Sequence, residues 1–181
     1  MTRLGDILTT RDLPATELSA LRLDGLVFAV DGCFAPVDQV EQPRHRAAAL
    51  APLVGPRIIV ERASAAWVWG ALASPPTRHT LCSSATARRR GTGPLRGAVR
   101  EVAISPDEIL LLAGVAVTSP LRTVVDLLRV ETDFDDWRAV CERLMAAGGL
   151  TTGALRDELA QRPRLPHRRR AEERLDGVSR C

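Results

Sequence analysis

The chain contains no lysine; all 25 of its basic residues are arginine. That absence removes the acidic-x-Lys core of the usual metal-dependent nucleases. The acidic pair in Val130-Glu131-Thr132-Asp133 therefore reads as a polar loop between helices. Tyrosine is absent too, and aromatics make up 3% of the residues, so any core must be aliphatic. The four cysteines, Cys33, Cys82, Cys141 and Cys181, form no CxxC pair, and with three scattered histidines they give no metal-ligand spacing. They read as reduced thiols of a cytosolic protein. The longest apolar run, from Ile109 to Val117, is too short to span a bilayer, and no N-terminal stretch has the form of a signal peptide. The expectation is a cytoplasmic protein without membrane contact. Nucleophile-elbow, P-loop, zinc-protease and kinase signatures are all missing. No catalytic residue, metal ligand or cofactor is assigned, and an enzymatic role stays open.

What is present is 181 residues, 45% of them apolar, enough for a small domain and a medium one. The net charge of +3 is unevenly spread: residues 1–43 carry −4 and residues 44–181 carry +7. Such asymmetry points to a partner with phosphates or an acidic surface.

The first forty residues have a compact rhythm. Leu4, Ile7 and Leu8 have the spacing of a short amphipathic helix. Thr9 and Asp12 fit a capping box for a second, very short helix, which Pro14 ends. A third helix is predicted from Thr16, as N-cap, to Asp24, with Leu18 and Leu21 inward and Gly25 as its stop. Two apolar runs, Leu26–Val30 and Cys33–Pro36, then flank Asp31-Gly32, a hairpin signal in which both turn residues are expected at positive φ. Helix, short helix, helix and hairpin is the order of a winged helix-turn-helix. Its recognition helix would present Thr16, Glu17, Ser19 and Arg22 to the major groove, with Arg3 and Arg11 nearby. Glu17 is repelled by phosphate unless it accepts from a cytosine amino group, so a protein-binding use of this module stands beside the DNA-binding one.

Val37–Pro43 reads as a polar linker, giving two parts, 1–40 and 44–181. The second is predicted as mixed α/β, with short strands flanked by helices. Helices are expected near Arg44–Leu53, Ala63–Ala73, Asp135–Ala147, Thr152–Gln161 and Pro166–Leu175. Strands are expected at Arg57–Glu61, within Arg78–Arg100, and at Val102–Ile104, Ile109–Leu112 and Val115–Val117. The stretch from Arg78 to Arg100 has six arginines and no acid, and its Arg88-Arg89-Arg90 is a candidate loop for DNA or an acidic protein. Ser119-Pro120 opens a further helix, Ser as N-cap and Pro at the first helical position, on which Arg122 and Asp126 make an i, i+4 pair.

The run Thr118-Ser119-Pro120-Leu121-Arg122-Thr123-Val124-Val125-Asp126-Leu127-Leu128-Arg129 resembles the TSPxRTxxDLxR stretch of AbiEi-type antitoxins of the actinobacterial kind. The N-terminal winged-helix pattern and the Ala63–Ala71 helix resemble that family in the same order. The resemblance implies the antitoxin of a type IV toxin–antitoxin pair. Its partner would be a nucleotidyltransferase-like toxin, and its winged helix would repress its own operon by binding inverted repeats in promoter DNA. Two alternatives remain: an antitoxin that works by protein interaction without DNA binding, and an atypical enzyme that modifies the toxin, for example by phosphorylation.

Overall fold

The computed structural model describes residues 6–85 and 99–178. The N-terminal part holds helix α1 (Ala15–Leu23) and the strands β1 (Val27–Val30) and β2 (Cys33–Pro36). Leu4 lies outside the described residues, and Asp6–Leu8 is not the predicted helix. Leu8 instead bridges Phe34, donating to its carbonyl at 2.7 Å and accepting from its N–H at 2.9 Å. One short turn cannot repay helix nucleation, whereas this bridge satisfies two backbone groups and buries Leu8 against Leu18 and Val27.

Thr9 and Asp12 do pair, the Asp12 carboxylate accepting from Thr9 N–H at 2.9 Å and from its hydroxyl at 2.8 Å, but they close a turn rather than a second helix. That pairing holds the Asp12 carboxyl below its ordinary value. Helix α1 is capped by Pro14, not Thr16, which sits inside its first turn. It ends as expected at Gly25, whose φ of +71° allows the Leu26 N–H to reach back to the Leu21 carbonyl. In the hairpin Val30 faces Cys33 across the two-residue turn, but only Asp31, at φ +53°, is left-handed.

Five more strands form a mixed sheet in the order β5-β4-β3-β7-β6: β3 (Ile59–Val60), β4 (Leu81–Ser84), β5 (Val99–Val102), β6 (Ile109–Leu112) and β7 (Val115–Thr118). β3–β7 and β4–β5 are parallel, while β3–β4 and β6–β7 are antiparallel. The tight turn joining β6 to β7 is Ala113-Gly114, with both residues left-handed. A one-turn 3-10 helix, Pro106–Glu108, precedes β6.

One sheet face packs on α2 (Pro43–Leu50) and α3 (Arg62–Val68). The same apolar cluster takes Val30, Cys33 and Ala35 from the hairpin together with Ala47, Leu50, Val60, Trp67 and Val117. Hairpin and sheet thus share a core across the polar segment 37–42. A second cluster joins α4 (Pro120–Val130), α5 (Phe134–Gly148), α6 (Thr152–Ala160) and α7 (Arg168–Val178) through Leu127, Leu128, Leu144, Leu155 and Leu175. No helix among the described residues is long and apolar enough to cross a membrane.

Candidate functional site

Helix α4 carries the most distinctive chemistry. The Ser119 hydroxyl accepts from the Arg122 N–H at 3.2 Å, and Pro120 fills the first helical position. The helix is apolar toward α5 through Val124, Leu127 and Leu128, yet its other side presents Arg122, Asp126 and Arg129 at i, i+4 and i+7. These three are nearly as buried as the leucines, Asp126 at 1%, Arg122 at 6% and Arg129 at 8% exposure.

A bare row of charges could not survive there, and each is matched. Arg122 Nε donates to Asp126 Oδ2 at 2.7 Å, and its Nη1 to Glu108 Oε1 at 2.8 Å and to the Ala103 carbonyl at 3.2 Å. Arg129 Nη1 donates to Asp126 Oδ1 at 2.8 Å, and its Nε to the Pro166 carbonyl at 2.8 Å. Glu108 accepts from the N–H and the hydroxyl of Ser105 at 2.8 and 2.9 Å. Arg162 Nη1 lies 2.9 Å from Glu108 Oε1, and its Nη2 lies 2.6 Å from Glu158 Oε1.

Burial opposes the Glu108 charge, but the Ser105 N–H and the Arg122 guanidinium outweigh it and hold its carboxyl down at about 2. For Arg122, burial is likewise outweighed, by Asp126 and then Glu108, and its pKa rises. Arg129 goes the other way: burial lowers it, Asp126 opposes, and Arg122, Arg100 and Arg162 add their repulsion.

Above this network opens a cleft of about 820 Å³. Its walls come from the end of β4, from β5, from the 103–105 turn and from the 162–166 connection between α6 and α7. Arg100 on β5 is held by the buried Glu61, at 2.9 and 3.3 Å. The i, i+4 spacing of Arg122 and Asp126 is visible in the sequence. Their burial, and the roles of Glu108 and Arg162, depend on elements that only folding brings together.

The residues expected to read DNA fall elsewhere. Arg11, Thr16, Glu17, Ser19 and Arg22 are all exposed, the last four on α1. The Ser19 hydroxyl donates back to the Ala15 carbonyl at 2.8 Å. Arg3 and the loop Arg88, Arg89 and Arg90 lie outside the described residues. The basic helix at the C-terminus balances its own charge, with Arg168–Glu172 and Arg169–Glu173 at 2.7 and 3.1 Å.

One constellation was not visible in the sequence. The Ser64 hydroxyl lies 3.1 Å from His79 Nδ1, and His79 Nε2 lies 3.3 Å from Asp31 Oδ2. The residue types are those of a hydrolase triad, but Ser64 is fully buried and its oxygen already accepts the Thr80 N–H at 2.9 Å. The chain of contacts fastens the hairpin turn to α3 and to the residues leading into β4. The described thiols, Cys33, Cys82 and Cys141, are buried, and burial raises the pKa of each.

The fold and this network define a mixed α+β protein built around a buried arginine–carboxylate cluster. Residues 58–176 match the model of the AbiEi antitoxin C-terminal domain, and the chain belongs to that family. An antitoxin role, and with it a toxin partner, follows from the family. Every described charged residue of the network falls within the matched segment. The fold is also similar to the crystal structure of the RV2827C protein from Mycobacterium tuberculosis. The TM-score is 0.51 at 18% identity, over 96% of this chain and 72% of that one. No curated protein matches it by sequence.

Proposed function

We propose that this protein is the antitoxin of a type IV pair, counteracts a nucleotidyltransferase-like toxin and represses its own operon. In this reading residues 1–40 act as a winged helix-turn-helix and residues 44–181 neutralise the toxin. The supporting observation is the exposed helix α1 followed directly by the β1–β2 hairpin, which pairs back onto Leu8. Helix α1 would enter the major groove with Arg22 as base or phosphate reader, flanked by Thr16, Glu17 and Ser19, while Arg3 and Arg11 reach the backbone. Arg88, Arg89 and Arg90 would touch flanking phosphates or an acidic toxin surface.

The test is a gel-shift titration on the inverted repeat upstream of the gene across a salt series. Binding should fall steeply with salt, and Arg22→Ala should cost about 1–3 kcal/mol if Arg22 reads a base. Equal affinity for promoter and random duplex at every salt concentration overturns the repressor reading.

A second reading, an antitoxin that binds protein only, is favoured by the end of α1. Leu23 is 88% exposed and Leu26 54% exposed, beside Asp24 and one turn from Ala20, a surface better suited to a protein than to phosphate.

A further inference from the structure

The cleft above α4 sorts its charges by depth. The carboxylates that hold its arginines lie underneath: Glu61 and Asp126 have side chains 1% exposed, and Glu108 9%. The guanidiniums reach outward, Arg100 at 41% and Arg162 at 29% side-chain exposure, with Arg164 on the surface. Arg164 has no hydrogen-bond or ion-pair partner among the described residues. Of the lining carboxylates only Glu101, on the rim, is exposed.

Donors remain as well. Arg129 spends Nε and Nη1 on protein acceptors, and Arg100 spends Nε and Nη2 on Glu61, leaving one Nη on each without a partner among the described residues. The carboxylates underneath balance Arg100, Arg122, Arg129 and Arg162, so Arg164 is the cation at the opening without a carboxylate of its own among the described residues, and an entering anion would meet it together with the spare donors. The same cleft has an apolar side, which includes Val102, Ile104, Pro163 and Leu165. Its volume of about 820 Å³ is that of a small-molecule site.

We propose that this cleft binds a nucleoside polyphosphate, with Arg100, Arg129, Arg162 and Arg164 receiving the phosphates and the Ile104–Leu165 side taking the base. Arg164 can meet phosphate oxygens through paired N–H donors, Arg100 and Arg129 each through the one Nη left over, and Arg162 through its charge, while the apolar side offers a surface for a flat heterocycle. The site is separate from α1 and does not depend on DNA binding.

The experiment is isothermal titration of the full chain with each of the four nucleoside triphosphates, with inorganic pyrophosphate and with a phosphate-free nucleoside. At least one triphosphate should bind in the micromolar range, more tightly than pyrophosphate, and the bare nucleoside should bind far more weakly. Arg164→Glu removes a surface charge that holds nothing in place, so the unliganded melting temperature should stay the same. Triphosphate affinity should fall about ten-fold, the loss of one charge-assisted contact. Arg162→Ala provides a second variant, with the same loss expected. Pyrophosphate binding as tightly as every triphosphate overturns the nucleoside assignment. No binding of any phosphate compound at millimolar concentration by folded protein, or an unchanged affinity in Arg164→Glu, overturns the site.

Discussion

The imidazole of His79 stands 3.3 Å from the carboxylate of Asp31, joining the turn of the N-terminal hairpin to the strand region of the larger part. The two residues are 48 positions apart, and both side chains are largely shielded from solvent. Beneath that contact Val30, Cys33 and Ala35 pack in one cluster with Val60, Trp67 and Val117. The hairpin is therefore a cover for the sheet.

This arrangement sets the outcome of truncation. A chain starting at Arg44 loses the hairpin's share of the cluster and leaves apolar sheet residues facing water. Losing Val30, worth about 1.5–3 kcal/mol, together with the smaller Cys33 and Ala35 should lower its unfolding midpoint. Urea titration of the fragment beside the full chain checks this. A fragment with the full-length midpoint would mean that the polar segment 37–42 separates independent modules.

Arg122→Ala should be far more damaging than the loss of an exposed helix pair. It leaves Asp126, at 1% exposure, with Arg129 as its remaining guanidinium partner among the described residues, and frees Glu108 from its shortest guanidinium contact. Breaking a buried, hydrogen-bonded pair on one side costs about 3–5 kcal/mol, against a few tenths for a surface i, i+4 pair. Thermal or urea unfolding decides between the two scales. A cost below about 1 kcal/mol would mean that the network is solvated in solution.

Acid should act through Glu108. Its carboxyl is held at about 2, below the ordinary 4.5, so in the folded state it binds its proton later than in the unfolded chain. Its contribution is complete above about pH 4.5 and is lost as the pH falls from there toward 2. A displacement of this size corresponds to a contribution on the order of 3 kcal/mol. Glu108→Gln should therefore be less stable than the parent at pH 7, and the gap should narrow at pH 2–3. A gap that is the same at both pH values would rule out Glu108 as an acid-labile tie.

Local signals in the sequence were read correctly where one residue fixes its own neighbourhood. Ser119-Pro120 starts α4, and Gly25 ends α1. The TSPxRTxxDLxR resemblance pointed to the family that the match over residues 58–176 establishes. Leu4, Ile7 and Leu8 misled because a short apolar spacing fits a helix turn and a bridged strand equally well. Asp31-Gly32 gave the hairpin but not its backbone angles, since the dipeptide tolerates more than one tight turn.

The sequence by itself determined where most elements begin and end, the mainly aliphatic character of a core that also takes in Trp67, and the presence of a charged stripe on α4. Caps, breakers and periodicity act within a few residues, so they can be read without knowing the fold. Tertiary structure alone decided that the stripe is buried. Glu108, Arg162 and the Ala103 and Pro166 carbonyls arrive from separate connections, and a charge can lose its water only when such partners converge on it.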